Sequence, residues 1–320
     1  MTILAPDEDR AIAAWRLGAV RRARVPRQGV VHRTLLLDCD AGRFALRAYR
    51  HADLARVERE HALIAAVAVR GIPAVRPVPL PEGGTVLARE GRFYALFPFA
   101  LGRQIARARL GPRALAAMGG FLARLHHALA ECQVEGMRPR AMDLDAGRTL
   151  AGIARLLAVI RARPDGDALD ALERLTRQRA EVECAAGASA APLNALPFQV
   201  IHGDYQEENL FFSDGSVSAI IDWDQAYLAP RAWEVVRVLD LVCRLDPARC
   251  RAFLAGYRAG HTLPAGDLDL AAAWYGSMRL HDLWLYTSYY LEGNERVARF
   301  IAPGPYVPFG ARWRAMMERL

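Results

Sequence analysis

"VIHGDYQEENLFFSDGSVSAIIDWD", residues 200–224, packs His202, Asp204, Glu207, Glu208, Asn209, Asp214, Asp222 and Asp224 between apolar runs. Val200-Ile201 leads into a polar loop from His202 to Asn209. Leu210-Phe211-Phe212 reads as a short strand, Ser213-Asp214-Gly215-Ser216 as a turn, and Val217–Ile221 as the returning strand. In an antiparallel hairpin the start of the first strand lies beside the end of the second. Asn209 is therefore expected next to Asp222, with Asp204 in the loop feeding the same end. Two carboxylates and an amide oxygen, with no soft ligand nearby, suit magnesium, which takes hard oxygen donors and few protein ligands.

Outward from this stretch, the N-terminal part alternates. "TLLLDCDAGRFALRAYR" (34–50) predicts a hairpin turning at Asp-Ala-Gly. Phe44, Leu46 and Ala48 share one face of its second arm; Ala45, Arg47 and Tyr49 share the other. Residues 53–69 follow helical spacing, start at an acid and stop before Gly71. A proline-rich connector, "GIPAVRPVPLP", precedes a second hairpin, "GTVLAREGRFYALFPFA", which turns at Glu90-Gly91-Arg92. Beyond residue 103 the pattern becomes Ala/Leu/Arg helices, over 112–131, 148–162 and 167–184 and again from Trp233 to Leu320. The fold class is α+β: a small strand-rich part with one main helix, then a large helical part carrying one polar hairpin.

The chain has 320 residues, 53% of them hydrophobic, which excludes a disordered protein. All 42 basic residues are arginine, and the net charge is +7. They are scattered rather than clustered, which reads as a solvated surface and not as a nucleic-acid footprint. Without lysine a Walker A motif is excluded. The five cysteines show no CxxC spacing, which points to reduced thiols and to neither a disulfide frame nor a zinc site. "MTILAPDEDRAIAAW" lacks the basic patch and apolar run of a signal peptide, and no uninterrupted apolar segment is long enough to span a membrane. A soluble, cytoplasmic protein is expected.

The combination of "HGDYQEEN" and "IIDWD" resembles the aminoglycoside-phosphotransferase and choline-kinase-like family, which shares the protein-kinase fold. The Asp204-to-Asn209 spacing matches the kinase pattern HRDLxxxN, and Asp222 falls where the DFG aspartate would. The resemblance implies that Asp204 is the catalytic base and that Asn209 and Asp222 are magnesium ligands. His202 is expected to brace the loop backbone, Trp223 to pack, and Glu207 and Glu208 to be solvated or to face the acceptor. Asp224 is expected either near the metal or bonded to the loop backbone. Glu234 stands where the family has an aspartate that braces the catalytic loop.

The same resemblance extends to the N-terminal part. "FALRAYR" aligns with the kinase strand VAIK, which sets Ala45 over the adenine and Arg47 over the phosphates of ATP. Arginine replaces the familiar lysine, keeps the charge and binds phosphate through a fork. Its implied partner is Glu60, with Glu58 as the alternative. "RQGVVHRT" offers only Gly29 as a phosphate-covering glycine. Backbone groups near Phe97 and Phe99 would hold the adenine edge. The implied domains are a nucleotide-binding lobe over 1–97, a hinge over 98–103 and a helical lobe over 104–320.

The expected function is an ATP- and Mg2+-dependent transfer of the γ-phosphate to a hydroxyl of a small molecule, of aminoglycoside, choline or homoserine type. A Ser/Thr protein kinase of the same fold and a nucleotide-binding pseudokinase are the alternatives. The segment 274–297, rich in aromatics, reads either as a core stripe or as an acceptor pocket.

Overall fold

The computed structural model describes residues 6–26, 32–51, 53–140, 144–162, 168–185, 195–301 and 306–320. The chain divides into two compact units, each discontinuous in sequence. The first is Met1–Arg138 with Gln199–Leu228 and Ala252–Thr262; the second is Pro139–Phe198 with Ala229–Arg251 and Leu263–Leu320. Among the described residues no helix is long and apolar enough to cross a membrane.

In the first unit α1 (Pro6–Ala13) precedes β1 (Val20–Arg24), β2 (Arg33–Cys39), β3 (Gly42–Ala48), α2 (Leu54–Ala68), β4 (Leu87–Arg89) and β5 (Arg92–Pro98). The strands form an antiparallel sheet in the order β1-β2-β3-β5-β4. One face of the sheet packs Leu35, Leu37, Leu46, Tyr94 and Leu96 against Ile12 and Trp15, with Phe44 and Ala48 at the margin. The other face packs Tyr49 and Ala95 against Val57 of α2, with Phe93 and Phe97 beside them. Period-two alternation along β3 thus divides its side chains as the sequence predicts. Each of these leucines, at most 1% exposed, contributes on the order of 2 kcal/mol by burial.

Both predicted turns in this sheet form, as Cys39 pairs with Gly42 and Arg89 with Arg92. Asp53 caps α2, its carboxylate accepting from the Arg56 N–H at 3.0 Å. No helix or strand is expected from the sequence before residue 34, so α1 and β1 are additions. β1 is "VRRAR", in which only Ala23 is buried; three arginines on a sheet edge hide the alternation that marks a strand.

The first unit runs past residues 98–103 through α3 (Pro112–Ala130) and takes in β7 (Leu210–Ser213) and β8 (Ser216–Ile220), which follow β6 (Phe198–Ile201). The reason is local pairing. Arg103 N–H donates to Phe212 O at 3.0 Å and Phe212 N–H returns the bond at 2.9 Å, while Ser218 Oγ donates to Leu101 O at 2.7 Å. Gly102 has φ +97, and a Cβ there would lie 2.6 Å from Phe212 O. His126, on α3, is a packed helix residue whose Nδ1 lies 2.8 Å from the Tyr257 hydroxyl.

β9 (Tyr227–Pro230) leads into the helices α6 (Arg231–Leu241), α7 (Pro247–Gly260) and α8 (Ala265–His281). In the second unit α4 (Ala146–Ala162) and α5 (Ala168–Ala185) share a core of Ile153, Leu156, Leu157, Ile160 and Leu175. α6 packs on α8 through Trp233 and Tyr275, whose rings meet edge to face at 5.5 Å. Tyr275 also meets Phe309 of α10 (Phe309–Met317), which follows the single turn α9 (Trp284–Tyr286). Tyr275 is thus a core aromatic of the 274–297 segment, whereas Trp284 is 55% exposed.

Candidate active site

The β7–β8 hairpin forms as its sequence dictates. Asp214 and Gly215 have φ +52 and +78, and Ser213 pairs with Ser216 across them. Asp-Gly is the pair that tolerates two successive left-handed residues in a two-residue turn. Leu210 pairs with Ile220, and the Ile221 N–H donates to Asn209 O at 3.0 Å. The ladder therefore continues to the end that carries Asn209 on one side and Asp222 on the other.

Asp204 sits above that end, half-buried in the loop. Its carboxylate accepts from Asn209 Nδ2 at 2.9 Å and from Gln206 Nε2 at 3.1 Å. Asn209 Nδ2 also donates to the Asp204 carbonyl at 2.8 Å, so its amide nitrogen faces Asp204 and its Oδ1 points elsewhere. His202, fully buried, accepts the Asp204 N–H on Nδ1 at 3.3 Å. Its Nε2 is then the protonated nitrogen and donates to Ile221 O at 3.1 Å. The imidazole joins the two sides of the loop and meets Trp223 edge to face at 4.7 Å. Gly203 has φ +80, and a Cβ would lie 2.0 Å from Gln225 O, so the loop closes on 225 only with glycine here.

Asp222 has φ +66, a strained conformation for a residue other than glycine. Its Oδ1 accepts from Arg47 Nη2 at 2.9 Å, while its side chain remains 38% exposed. Arg47 Nη1 donates to Glu60 Oε1 at 3.0 Å, so the arginine bridges α2 and the 222 position. Glu58 is exposed on α2. Burial disfavours the Arg47 cation, but Asp222 and Glu60 outweigh it and raise its pKa. Burial pushes the Glu60 carboxyl up against the pull of Arg47.

Ala45 lies two residues before Arg47 and pairs with Phe97 across the sheet. The Arg47 guanidinium lies 5.7 Å from the Phe97 ring centroid. The Phe99 N–H donates to Arg43 O at 3.2 Å, and Arg43 covers the Phe99 ring at 4.0 Å. Gly29 lies outside the described residues. A groove beside 98–101, lined by His61, Val75, Pro98, Phe99 and Ser218, includes none of Ala45, Arg47, Asp204, Asn209 or Asp222.

Two positions differ from expectation or extend it. Glu207 is neither solvated nor open to an acceptor: it is 3% exposed and accepts from Arg107 Nε at 2.7 Å. Burial raises its pKa, opposed by Arg107. Nothing in the run "QEEN" distinguishes this acid from its neighbour, because its partner comes from a distant segment. Gln206, which holds Asp204, carries no signal of its own in the sequence, since polar residues are expected throughout such a loop.

Asn209 Oδ1 and the carboxylate of Asp222 are hard oxygen donors at one hairpin end, a set that fits a magnesium ion.

A model of the phosphotransferase enzyme family matches residues 7–268, and the chain belongs to that family. It is 29% identical over 259 residues to the homoserine kinase of Gluconacetobacter diazotrophicus, covering 78% of this chain and 75% of the relative. It is 29% identical over 283 residues to that of Acidiphilium cryptum, covering 84% and 82%. Among solved structures, spectinomycin phosphotransferase in complex with ADP and spectinomycin matches with a TM-score of 0.66 at 14% identity over 100% of both chains. The chain is accordingly a small-molecule phosphotransferase, an ATP-dependent kinase that acts on a hydroxyl group.

Proposed function

We propose that Asp204, Asn209, Asp222, Arg47 and Glu60 form the phosphoryl-transfer centre of a magnesium-dependent kinase whose acceptor is a homoserine-like amino alcohol. The observation that carries this is the hairpin end itself. A half-buried carboxylate, an oriented amide and a half-exposed aspartate converge there, and the aspartate is tied to a strand arginine. The acceptor class is supported by the relatives, several of which are named homoserine kinases.

In this reading Asp204 takes the proton of the acceptor hydroxyl as the phosphoryl group arrives. Gln206 and Asn209 hold its carboxylate in place, so little reorganisation is needed. Asn209 and Asp222 hold magnesium, which when bound neutralises phosphate charge. Arg47 reaches the nucleotide phosphates. A guanidinium carries five donors, so its contacts to Glu60 and Asp222 do not exhaust it. Ala45 lies against the adenine. Since the Phe99 N–H is bonded to Arg43, the donor to the adenine edge lies elsewhere along the hinge. Residues 1–97 then act as the nucleotide lobe, 98–103 as the hinge and 104–320 as the acceptor lobe.

The test is a coupled assay of ADP release from ATP and magnesium, with homoserine, choline and an aminoglycoside panel as acceptors. Homoserine-dependent turnover that is absent with the others is expected. Turnover confined to an antibiotic overturns the acceptor class. Full turnover in chelator overturns the metal.

A further inference from the structure

The segment 222–224 carries two aspartates, and the proposed centre uses only the first. The second, Asp224, is the more deeply placed, its side chain 4% exposed against 38% for Asp222. A buried carboxylate needs compensation. Asp224 receives it from several directions. Arg56 Nη2 lies 3.0 Å from Oδ1 and 3.2 Å from the Asp224 carbonyl. His32 Nε2, at the head of β2, lies 3.2 Å from Oδ2, and Gln225 Nε2 donates to Oδ2 at 2.9 Å. His51, just after β3, places Nε2 3.5 Å from Oδ1. The Arg50 N–H donates to His32 Nδ1 at 3.4 Å, which leaves Nε2 as the protonated nitrogen facing the carboxylate. Burial alone would raise the Asp224 pKa; His32 and Arg56 outweigh it and hold the group well below the ordinary carboxylate range.

Arg56 and Glu60 are four apart on α2 and so share one helix face. From that face two ties run to the same short segment. Glu60 reaches Asp222 through Arg47, and Arg56 reaches Asp224 directly. Residues 222 and 224 are thus each tied to one face of α2, and two ties hold the short segment against rotation where one would not. A single tie through Arg47 would leave Asp222, at φ +66, free to relax toward ordinary backbone.

We propose that Asp224 is a positioning residue of the phosphoryl-transfer centre: clamped by Arg56 and His32, it holds Asp222 in the strained conformation that presents its carboxylate to the nucleotide's metal. This rests on the reading of Asp222 given above. The same histidines and carboxylate could be read as a metal centre, since their ligand atoms lie within 4.8 Å of one another. Two contacts favour the clamp. The Arg56 cation already lies on Oδ1, and the Arg50 N–H occupies the His32 nitrogen that would have to carry the proton in a metal-bound ring.

The experiment compares wild type, Asp224→Asn, Arg56→Gln, Arg56→Lys and the Asp224→Asn/Arg56→Gln double variant. The readouts are KM for ATP, KM for the acceptor, the ADP affinity with magnesium by calorimetry, the thermal midpoint and bound metal by elemental analysis. Asp224→Asn should raise KM for ATP and weaken magnesium-dependent ADP binding about tenfold or more, leaving KM for the acceptor near wild type. Arg56→Gln, on a side chain 40% exposed, should do the same to a smaller extent and fold normally. Arg56→Lys should recover part of the loss, and the double variant should lose less than the sum. Wild-type ADP affinity in a folded Asp224→Asn protein overturns the proposal, as does strict additivity. One equivalent of zinc in wild type, lost in Asp224→Asn, overturns it in favour of a metal centre. Calorimetry needs no acceptor. Failure of the acceptor assay or full activity in Asp204→Ala would therefore sink the catalytic reading while leaving the clamp measurement to stand or fall separately.

Discussion

Two carboxylates in this chain lie among arginines in opposite ways. In the second unit Asp240, on α6, is 5% exposed and has both oxygens occupied: Arg312 Nη2 lies 3.1 Å from Oδ1 and the Tyr275 hydroxyl donates to Oδ2 at 3.0 Å. Arg279 stands 4.0 Å away. All of these groups project from regular helices. In the first unit Asp222 is 38% exposed, sits at φ +66 beyond the end of a strand, and has one arginine on one oxygen. The first arrangement is complete and ties α6, α8 and α10 together. The second is strained and under-coordinated, which costs stability unless a ligand compensates. Charge clustering alone does not mark a site; the exposure of the acid and the strain beneath it do.

The contrast predicts different failures. The largest effect is expected from Asp204→Ala. Turnover should fall by roughly 100- to 10,000-fold, while ADP binding and the thermal midpoint stay near wild type. Retention of most activity would remove Asp204 from the chemistry.

Asp240→Ala should fail by instability instead. The substitution leaves the buried Tyr275 hydroxyl without its acceptor, which costs about 1–3 kcal/mol, while Arg312 and Arg279 remain partly exposed to water, so the denaturation midpoint should drop while kcat per folded molecule holds. A kcat loss without a stability loss would mean that the two clusters are not different in kind.

Arg47→Ala should show both failures at once. It leaves Glu60 buried without its partner, and it removes a proposed phosphate contact, so KM for ATP should rise and stability should fall. Arg47→Lys should recover part of the ATP effect, since lysine keeps the charge and loses the fork. Unchanged ATP kinetics in Arg47→Ala would make this a structural arginine like Arg312.

The smallest effect concerns His61, beside Glu60 on α2. It is 7% exposed and contacts the Tyr49 hydroxyl and Thr85. Burial, reinforced by Arg47, lowers its pKa to about 4. The unfolded chain, with an ordinary pKa of about 6.5, binds this proton more readily than the folded one. Its contribution is therefore full above about pH 6.5 and is lost as pH falls toward about 4, by on the order of 3 kcal/mol at most. Thermal midpoints measured across that window should fall less steeply in His61→Gln than in wild type. Equal slopes would mean that His61 is not held neutral.

Much of the hairpin end is local in origin. Asp214-Gly215 prefers the paired left-handed turn, and that turn, with a one-residue register shift between Phe211 and Phe212, places Asn209 opposite the 221–222 position. Alternation in "FALRAYR" puts Ala45, Arg47 and Tyr49 on one face whatever the rest of the chain does. The helices over 112–131 and 148–162 follow from spacing alone and were legible to within two residues at each end. β1 was not legible, because an edge strand buries one residue in five and carries no periodic signal.

What only the tertiary structure decided is which charge meets which. Arg47 and Asp222 are 175 residues apart in sequence and 2.9 Å apart in space. Glu58 and Glu60 are equivalent as letters, and α2's rotation against the sheet buries one and exposes the other. Glu207 found Arg107, and Asp224 found Arg56 and His32, through contacts with no local pattern. The physical reason is range. Turn and strand preferences act over a few residues and survive in any context, whereas a carboxylate's partner is set by packing between segments that meet only once the chain has folded.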